Sequence, residues 1–143
     1  MKILILCTDN ASRSQMAEGF LKSFDPKSEV FSAGTMPAAK IHQETVEVMK
    51  EAFINQTENQ TKHFEYYVQM HFDYLITLCE TSKEALPHFA GKTEKKLHFT
   101  FDDPETVIGE EEEKLNSYRN VRDEIKNEFF KFYKQIINKY THE

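Results

Sequence analysis

At 143 residues the chain has the length of one domain, and with 39% hydrophobic residues it can bury a proper core. We therefore predict a single domain over residues 1–143. The net charge of −6 argues against nucleic acid as a partner, and every apolar run is shorter than the roughly 18 residues of a membrane span. The first apolar run is also too short for a signal peptide, so we expect a cytoplasmic protein without a membrane partner.

The apolar pattern predicts strands that alternate with helices along the chain. Pro26 ends the first helix, because the residue before a proline avoids helical conformations. The predicted strands cover residues 2–6, 29–32, 73–78 and 96–100. The predicted helices lie at about 12–24 and 43–53, within 64–70, at 82–86 with Pro87 as the stop, and from about 110 onwards.

The last helix opens with four consecutive glutamates, which suit the positive end of a helix dipole. Apolar residues then recur every three or four positions, which is typical of one buried helix face. A partner-binding helix is the alternative, and we favour packing on the sheet. The apolar positions are Leu115, Tyr118, Val121, Ile125, Phe129, Phe132 and Ile136.

This alternation predicts an α/β fold, with a parallel sheet and helices on both faces. We expect four strands in the order 2-1-3-4, with the topological switch between strands one and three. Ligands bind at such a switch, beyond the carboxyl ends of the strands. Cys7 ends strand one and Cys79 ends strand three, so both thiols should lie there. In a reducing compartment a disulfide between them would be transient and catalytic.

A loop with the spacing Cys-x5-Arg connects the first strand to the first helix. Its amides and the helix N-terminus can bind a tetrahedral oxyanion, which Arg13 can grip with two nitrogens. The same field should lower the pKa of Cys7 and make it a nucleophile. The alternative, a buried cysteine and a surface arginine, is less favoured by the strand–loop–helix context. The proposed anion-binding loop comprises Cys7 and then Thr8, Asp9, Asn10, Ala11, Ser12 and Arg13.

This loop resembles that of the low-molecular-weight protein tyrosine phosphatases and of the arsenate reductases that share their fold. The phosphatases usually carry proline after the Arg-Ser pair, whereas the reductases carry glutamine, as Gln15 does here. The resemblance runs the length of the chain. Further matches are FSAG at residues 31–34, ITLC at 76–79, FDDP at 101–104 and VRDEI at 121–125.

The resemblance implies roles for single residues. Asp103 matches the general acid, with Asp102 as a substitute and an ordinary Asp-Pro turn as the alternative. Ser14 should donate to the Cys7 sulfur or cap the helix, and Asn10 should hold the loop in its unusual conformation. Two positions depart from the family. Asp9 stands where glycine is common, which should weaken anion binding unless its side chain points away, and Ser12 replaces a frequent second cysteine.

Cys79 distinguishes the two activities. In the resembling reductases a cysteine there attacks the arseno adduct, and a third cysteine passes the disulfide to thioredoxin. Leu86 stands at that third position, so the relay is broken. Thioredoxin, glutaredoxin or a small thiol would then act directly on a Cys7–Cys79 disulfide or on the Cys7 adduct. A buried, inert Cys79 is the alternative.

We predict no bound cofactor and no metal. The resembling reductases hold potassium near the loop, and Asn10, Glu18 and Ser32 match its ligands. His63, however, stands where a carboxylate is expected. No Cys/His spacing indicates zinc, and the scattered histidines are expected at surface or core positions. They are His42, His63, His71, His88, His98 and His142.

The sequence therefore predicts a thiol-dependent arsenate reductase acting through a Cys7 adduct. The alternative is a phosphatase that hydrolyses phosphomonoesters through a Cys7 phosphoenzyme. Glu105 and Thr106 follow Pro104 where phosphatases carry aromatics, so Tyr118 or Met36 would have to form the wall of a phosphotyrosine cleft. A silent anion-binding module, which only Asp9 supports, is the third reading.

Overall fold

A central parallel sheet organises the chain. The computed structural model describes residues 1–137, so His142 lies outside the described part. The strands pair in the order β2-β1-β3-β4, each neighbour parallel, as the sequence predicts. The strands are β1 Lys2–Cys7, β2 Glu29–Gly34, β3 Phe72–Thr77 and β4 Thr93–His98.

Residues 1–137 also form three α-helices and three 3-10 segments, between the strands and after the last one. The long final helix widens into a π-helical turn, Tyr133–Ile137, at its end. The α-helices are α1 Arg13–Phe24, α2 Gln43–Glu51 and α3 Glu111–Phe132. The 3-10 segments are Phe64–Tyr67, Glu80–Phe89 and Pro104–Thr106.

Two predicted boundaries are wrong. The fourth strand begins at Thr93 and not at residue 96, because β4 pairs with the whole of β3, from Phe72 opposite Thr93 to Thr77 opposite His98. Pro87 does not stop the short helix but lies inside the 3-10 segment Glu80–Phe89. The fixed φ of proline fits the 3-10 conformation, so the ring is tolerated there.

Both faces of the sheet are buried. Strand alternation sends Ile3, Ile5 and Cys7 to one face and Leu4 and Leu6 to the other, all fully buried. The first face packs against the three α-helices, and the second is covered by the 3-10 segments that flank β3. The sheet is thus covered on both sides, and its carboxyl edge is left free for a site.

The apolar stripe of α3 packs on the core, as predicted. Phe129 and Ile125 are fully buried, and Phe129 meets Phe99 and Phe132 edge to face. Phe132 in turn packs against Tyr74 of β3. The stripe is therefore used within the fold and is not left open for a partner.

Within residues 1–137, no helix has both the length and the apolar character needed to cross a membrane.

Phe129 and Phe130 are adjacent on α3 and offer a matched test of this packing. Phe129→Ala should lower the free energy of unfolding by about 3–5 kcal/mol, because it leaves a cavity between α3 and the sheet. Phe130 is 45% exposed, so Phe130→Ala should cost about 1 kcal/mol. Urea unfolding followed by circular dichroism measures both. Equal losses would contradict the described burial.

Candidate active site

The peptide groups of the loop after β1 face two ways. Their carbonyl oxygens accept hydrogen bonds of 2.8 to 3.1 Å from the segment 35–45, which wraps the outside of the loop. The donors are Thr35 to Cys7, Met36 to Thr8, Ala38 to Asp9, and His42 and Thr45 to Ala11.

With the carbonyls directed outwards, the amides face the interior of the loop. In the described part of the chain, the amides of several residues at the loop and the start of α1 donate to no protein acceptor. Together with the dipole of α1 they form a ring of donors suited to an anion. These residues include Asp9, Asn10, Ser12, Arg13 and Ser14.

Asn10 holds this conformation. Its φ is 55°, in the left-handed region that asparagine tolerates. Its side-chain amide donates to Ser14 Oγ at 2.8 Å and to Ser32 Oγ at 2.9 Å, and its Oδ1 accepts the Lys62 amide at 2.9 Å. Fully buried and fully bonded, Asn10 ties the loop to β2 and to the segment before the first 3-10 helix.

Ser14 takes neither of its predicted bonds among the described residues. Its Oγ accepts from Asn10, it makes no hydrogen bond to Cys7 Sγ, and Ser12 is the helix N-cap residue. The accepted bond leaves the Ser14 hydroxyl proton free to donate.

Gly34 explains the FSAG match. A Cβ at this position would lie 2.5 Å from the Thr8 carbonyl oxygen and 3.2 Å from the Asn10 amide nitrogen. Only glycine lets the end of β2 lie this close to the loop.

Gln15 supports the loop from behind, a role that the sequence did not reveal. Its Nε2 donates to the Asn10 and Gln60 carbonyls at 3.0 Å each, and its Oε1 accepts from Asn59 Nδ2 at 3.1 Å. Gln56 Nε2 donates to the Gln15 carbonyl at 2.7 Å. The polar segment 54–61 thus packs on the active-site loop.

Arg13 is buried at the site and does not extend into solvent. Its Nη1 donates to the Phe101 carbonyl at 3.1 Å, and its Nη2 lies 3.7 Å from Asp103 Oδ2. The buried Nε of Arg13 and the buried Oγ of Ser12 have no hydrogen-bond partner among the described residues. Buried polar atoms are normally satisfied, so these two fit a ligand that supplies acceptors.

Between the two neighbouring aspartates, the structure favours Asp103. Asp103 faces Arg13 and is partly buried, whereas Asp102 is exposed. Asp103 Oδ1 also accepts the Glu105 amide at 3.0 Å, so the expected turn role and the position at the site both hold.

The two thiols meet at the carboxyl edge of the sheet. Cys7 Sγ and Cys79 Sγ are 3.7 Å apart, and neither is in a disulfide. Cys79 Sγ also lies 3.1 Å from Thr8 Oγ1 and 3.5 Å from Thr81 Oγ1. The two hydroxyls also bond each other, so one can donate to Cys79 while the other donates to that hydroxyl, and neither was singled out for this from the sequence.

The charge of the thiol pair differs from the expectation. The hydrogen bond with Cys79 and burial raise the pKa of Cys7, while Arg13 acts in the opposite direction. The hydrogen bond from Cys7, assisted by Thr8 and Thr81, lowers the pKa of Cys79 to about 3. The two pKa values move in opposite directions, so the thiols titrate as a coupled pair, and a Cys7 thiolate forms when the shared proton moves to Cys79.

Asp9 consumes one of the loop's donors. Its Oδ1 accepts the Ala11 amide at 3.1 Å, so this amide bonds the carboxylate and is not free for a guest. The side chain is half-buried and stays with the loop. The weakening of anion binding expected from Asp9 is therefore retained.

Tyr118 does not form the wall of a cleft. Its side chain is 2% exposed, and its hydroxyl lies 3.1 Å from His42 Nδ1, so it supports His42 from below. Met36 is 74% exposed beside the loop and remains available as an apolar surface. Of the residues that match the potassium ligands of the resembling reductases, Asn10 and Ser32 bond each other, and His63, which stands where a carboxylate would be expected, accepts the Glu65 amide.

The sequence matches the family model of the low molecular weight phosphotyrosine protein phosphatases over residues 2–142. The chain belongs to this family. An arsenate reductase of Halalkalibacterium halodurans is 36% identical over 124 residues, which are 86% of this chain and 88% of that protein. An arsenate reductase of Bacillus subtilis is 35% identical over 131 residues, or 91% and 93% of the two chains.

The fold agrees with this assignment. A solved structure described as an arsenate reductase in the phosphate-binding state matches with a TM-score of 0.79 at 26% identity, covering 94% of this chain and 98% of the other. The predicted family and the four-stranded parallel fold are thus confirmed, and as a family member the chain is an enzyme.

Removal of Cys79 should lower the pKa of Cys7. Cys79→Ala deletes the hydrogen bond and the negative charge that raise it and leaves Arg13 in place. The pH dependence of iodoacetamide alkylation, resolved by peptide mapping, gives the midpoint for Cys7. We expect a lower midpoint for Cys7 in Cys79→Ala than in the wild type. Thr81→Val keeps both thiols, so its Cys7 midpoint should be higher than that of Cys79→Ala. An unchanged midpoint in Cys79→Ala would contradict the coupling.

Asp9 should weaken oxyanion binding through its charge and through the amide that it occupies. Asp9→Asn keeps an acceptor for the Ala11 amide and removes the charge, whereas Asp9→Gly also frees the amide. We expect phosphate to bind more tightly in the order wild type, Asp9→Asn, Asp9→Gly, with a total gain of about tenfold, which corresponds to about 1.4 kcal/mol. Isothermal titration with phosphate measures this order. Weaker binding in both variants would show that the carboxylate helps to hold the loop.

Proposed function

We propose that this enzyme reduces arsenate to arsenite with two of its own thiols. The observation that carries the proposal is the 3.7 Å separation of Cys7 Sγ and Cys79 Sγ at the anion-binding loop. A phosphomonoester hydrolase needs one nucleophilic cysteine, whereas a two-electron reduction of a bound oxyanion needs a second thiol within reach. The relatives named arsenate reductase support the same activity.

In the first step Cys7 forms a bond to arsenic. The shared proton moves to Cys79, and the Cys7 thiolate attacks arsenate held by the loop amides and Arg13. One arsenate oxygen leaves as water, and we propose that Asp103 is the general acid that donates a proton to it. Arg13 links the anion-binding loop to the segment that carries the general acid, since its guanidinium lies beside the Phe101 carbonyl and Asp103.

In the second step Cys79 gives up the proton that it took in the first step, to water or to the Asp103 carboxylate, and its thiolate attacks Cys7 Sγ. The sulfur–arsenic bond breaks, and its electron pair stays on arsenic, which falls from the pentavalent to the trivalent state. Cys7 and Cys79 are oxidised together to a disulfide, and arsenite leaves. Thr8 and Thr81 support this step, because their hydroxyls can stabilise the Cys79 thiolate before it attacks.

An external dithiol or two small thiols must then reduce the disulfide. Leu86 stands in the 3-10 segment Glu80–Phe89 at the position of the relay's third cysteine. Its side chain packs against the sheet face that carries Leu4 and Leu6. We propose that thioredoxin, glutaredoxin or a small thiol acts on the half-exposed Cys79 directly.

A phosphomonoesterase is the second candidate. One observation favours it, since the loop, Arg13 and Asp103 suffice for a Cys7 phosphoenzyme and the third thiol is missing. The exposed Met36 would then be the apolar contact for the ester group.

Turnover assays separate the two candidates. Arsenate reduction is measured with thioredoxin, glutaredoxin and glutathione as donors, and hydrolysis with p-nitrophenyl phosphate. Cys7→Ser should abolish both activities. Cys79→Ser should abolish arsenate reduction and spare hydrolysis. No arsenate turnover with any donor, beside brisk hydrolysis, would reject the reductase.

The two aspartates provide a matched pair for the general acid. Asp103→Asn should lower the turnover number roughly 100-fold for an ester with a poor leaving group, because the leaving oxygen is no longer protonated. The exposed neighbour variant Asp102→Asn should stay close to wild type. Equal effects of the two substitutions would remove the assignment of Asp103.

A further inference from the structure

Three side chains that are far apart in sequence meet at the mouth of the loop. Asp9 follows β1, His42 precedes α2 and Glu105 lies in the 3-10 segment Pro104–Thr106. One ligand atom from each lies within 4.8 Å of the other two. His42 Nε2 and Glu105 Oε1 are 3.6 Å apart. In a tetrahedral zinc site neighbouring ligand atoms are separated by about 3.4 Å, so small rotations would close the set.

His42 is held in the orientation that a metal ligand needs. Its Nδ1 lies 3.1 Å from the Tyr118 hydroxyl, and its ring packs edge to face on Tyr118 at 6.3 Å. When Nδ1 carries the proton and donates to Tyr118, Nε2 presents its lone pair to the two carboxylates. A ligating histidine is normally oriented in this way by a partner on its other nitrogen.

Tyr118 lies outside the three ligands and is fixed by the core of α3. Its phenol lies near several carboxylates, among them Glu44 and Glu105. The surroundings of the cluster are therefore negative, and Arg13 is already engaged with Asp103 and the Phe101 carbonyl. These negative surroundings favour the binding of a cation at this position.

The structure leads us to propose that Asp9, His42 and Glu105 form a site for a divalent cation of the zinc class. One imidazole nitrogen and two carboxylate oxygens are a donor set that zinc accepts, with water completing the shell. The site is separate from the thiol pair, and its cation would neutralise two carboxylates at the mouth of the oxyanion pocket. The proposal does not depend on whether the enzyme acts as a reductase or as a phosphatase.

The test measures zinc binding directly. Isothermal titration with Zn²⁺ uses the full chain with Cys7→Ser and Cys79→Ser, because these thiols would bind zinc themselves. We expect one zinc per chain. Adding Glu105→Gln or Asp9→Asn should weaken binding at least tenfold, and these two side chains are exposed and half-buried, so the fold should persist. His42→Ala should weaken zinc binding more than either of these two substitutions.

A second histidine–carboxylate pair provides the control. His71 Nε2 and Glu94 Oε1 are 2.9 Å apart at the opposite end of the sheet, and residues 1–137 supply no third ligand there. His71→Ala should leave the zinc affinity unchanged. The proposal would be overturned if His71→Ala lowered the zinc affinity and Glu105→Gln did not. It would also be overturned if zinc did not bind stoichiometrically. Circular dichroism of each variant confirms that it is folded.

Discussion

The site depends on the direction of the peptide groups between β1 and α1. Hydrogen bonds from segment 35–45 hold the carbonyl oxygens outwards, so the amides of the loop are left facing inwards. Asn10 in its left-handed conformation and Gln15 behind it fix this arrangement. Because the ring of donors is built by bonds on its outer side, it exists before any guest arrives. Such preorganised donors stabilise charge that develops during a reaction.

The thiol pair links this ring to the chemistry. Cys7 closes β1 and Cys79 follows β3, so the parallel pairing of these two strands brings the sulfurs within 3.7 Å. Sharing one proton, each sulfur can serve in turn as nucleophile. The two thiols must therefore be considered together. The hydrogen bonds of Cys79 with Cys7, Thr8 and Thr81 lower the pKa of Cys79, and the pKa of Cys7 is raised.

Much of this could be predicted from the sequence, because it follows from local patterns. The strand order, the α3 stripe and the convergence of Cys7 and Cys79 all derive from periodicity and parallel topology. Contacts between distant segments could not be predicted. The bonds from segment 54–61 to Gln15 depend on how a polar loop folds back, and Arg122 of the VRDEI match donates to the Val48 carbonyl at 2.9 Å and so ties α3 to α2. The same holds for Asp9, His42 and Glu105, which tertiary packing alone brings together.

The central claim is that the two thiols supply the electrons for one reduction. A single-turnover experiment without any external thiol tests it most directly. Reduced enzyme is mixed with excess arsenate, arsenite is quantified, and the chain is weighed by mass spectrometry. The account predicts one arsenite per chain and the loss of two hydrogens through a Cys7–Cys79 disulfide. A chain that stays fully reduced and releases no arsenite would contradict it.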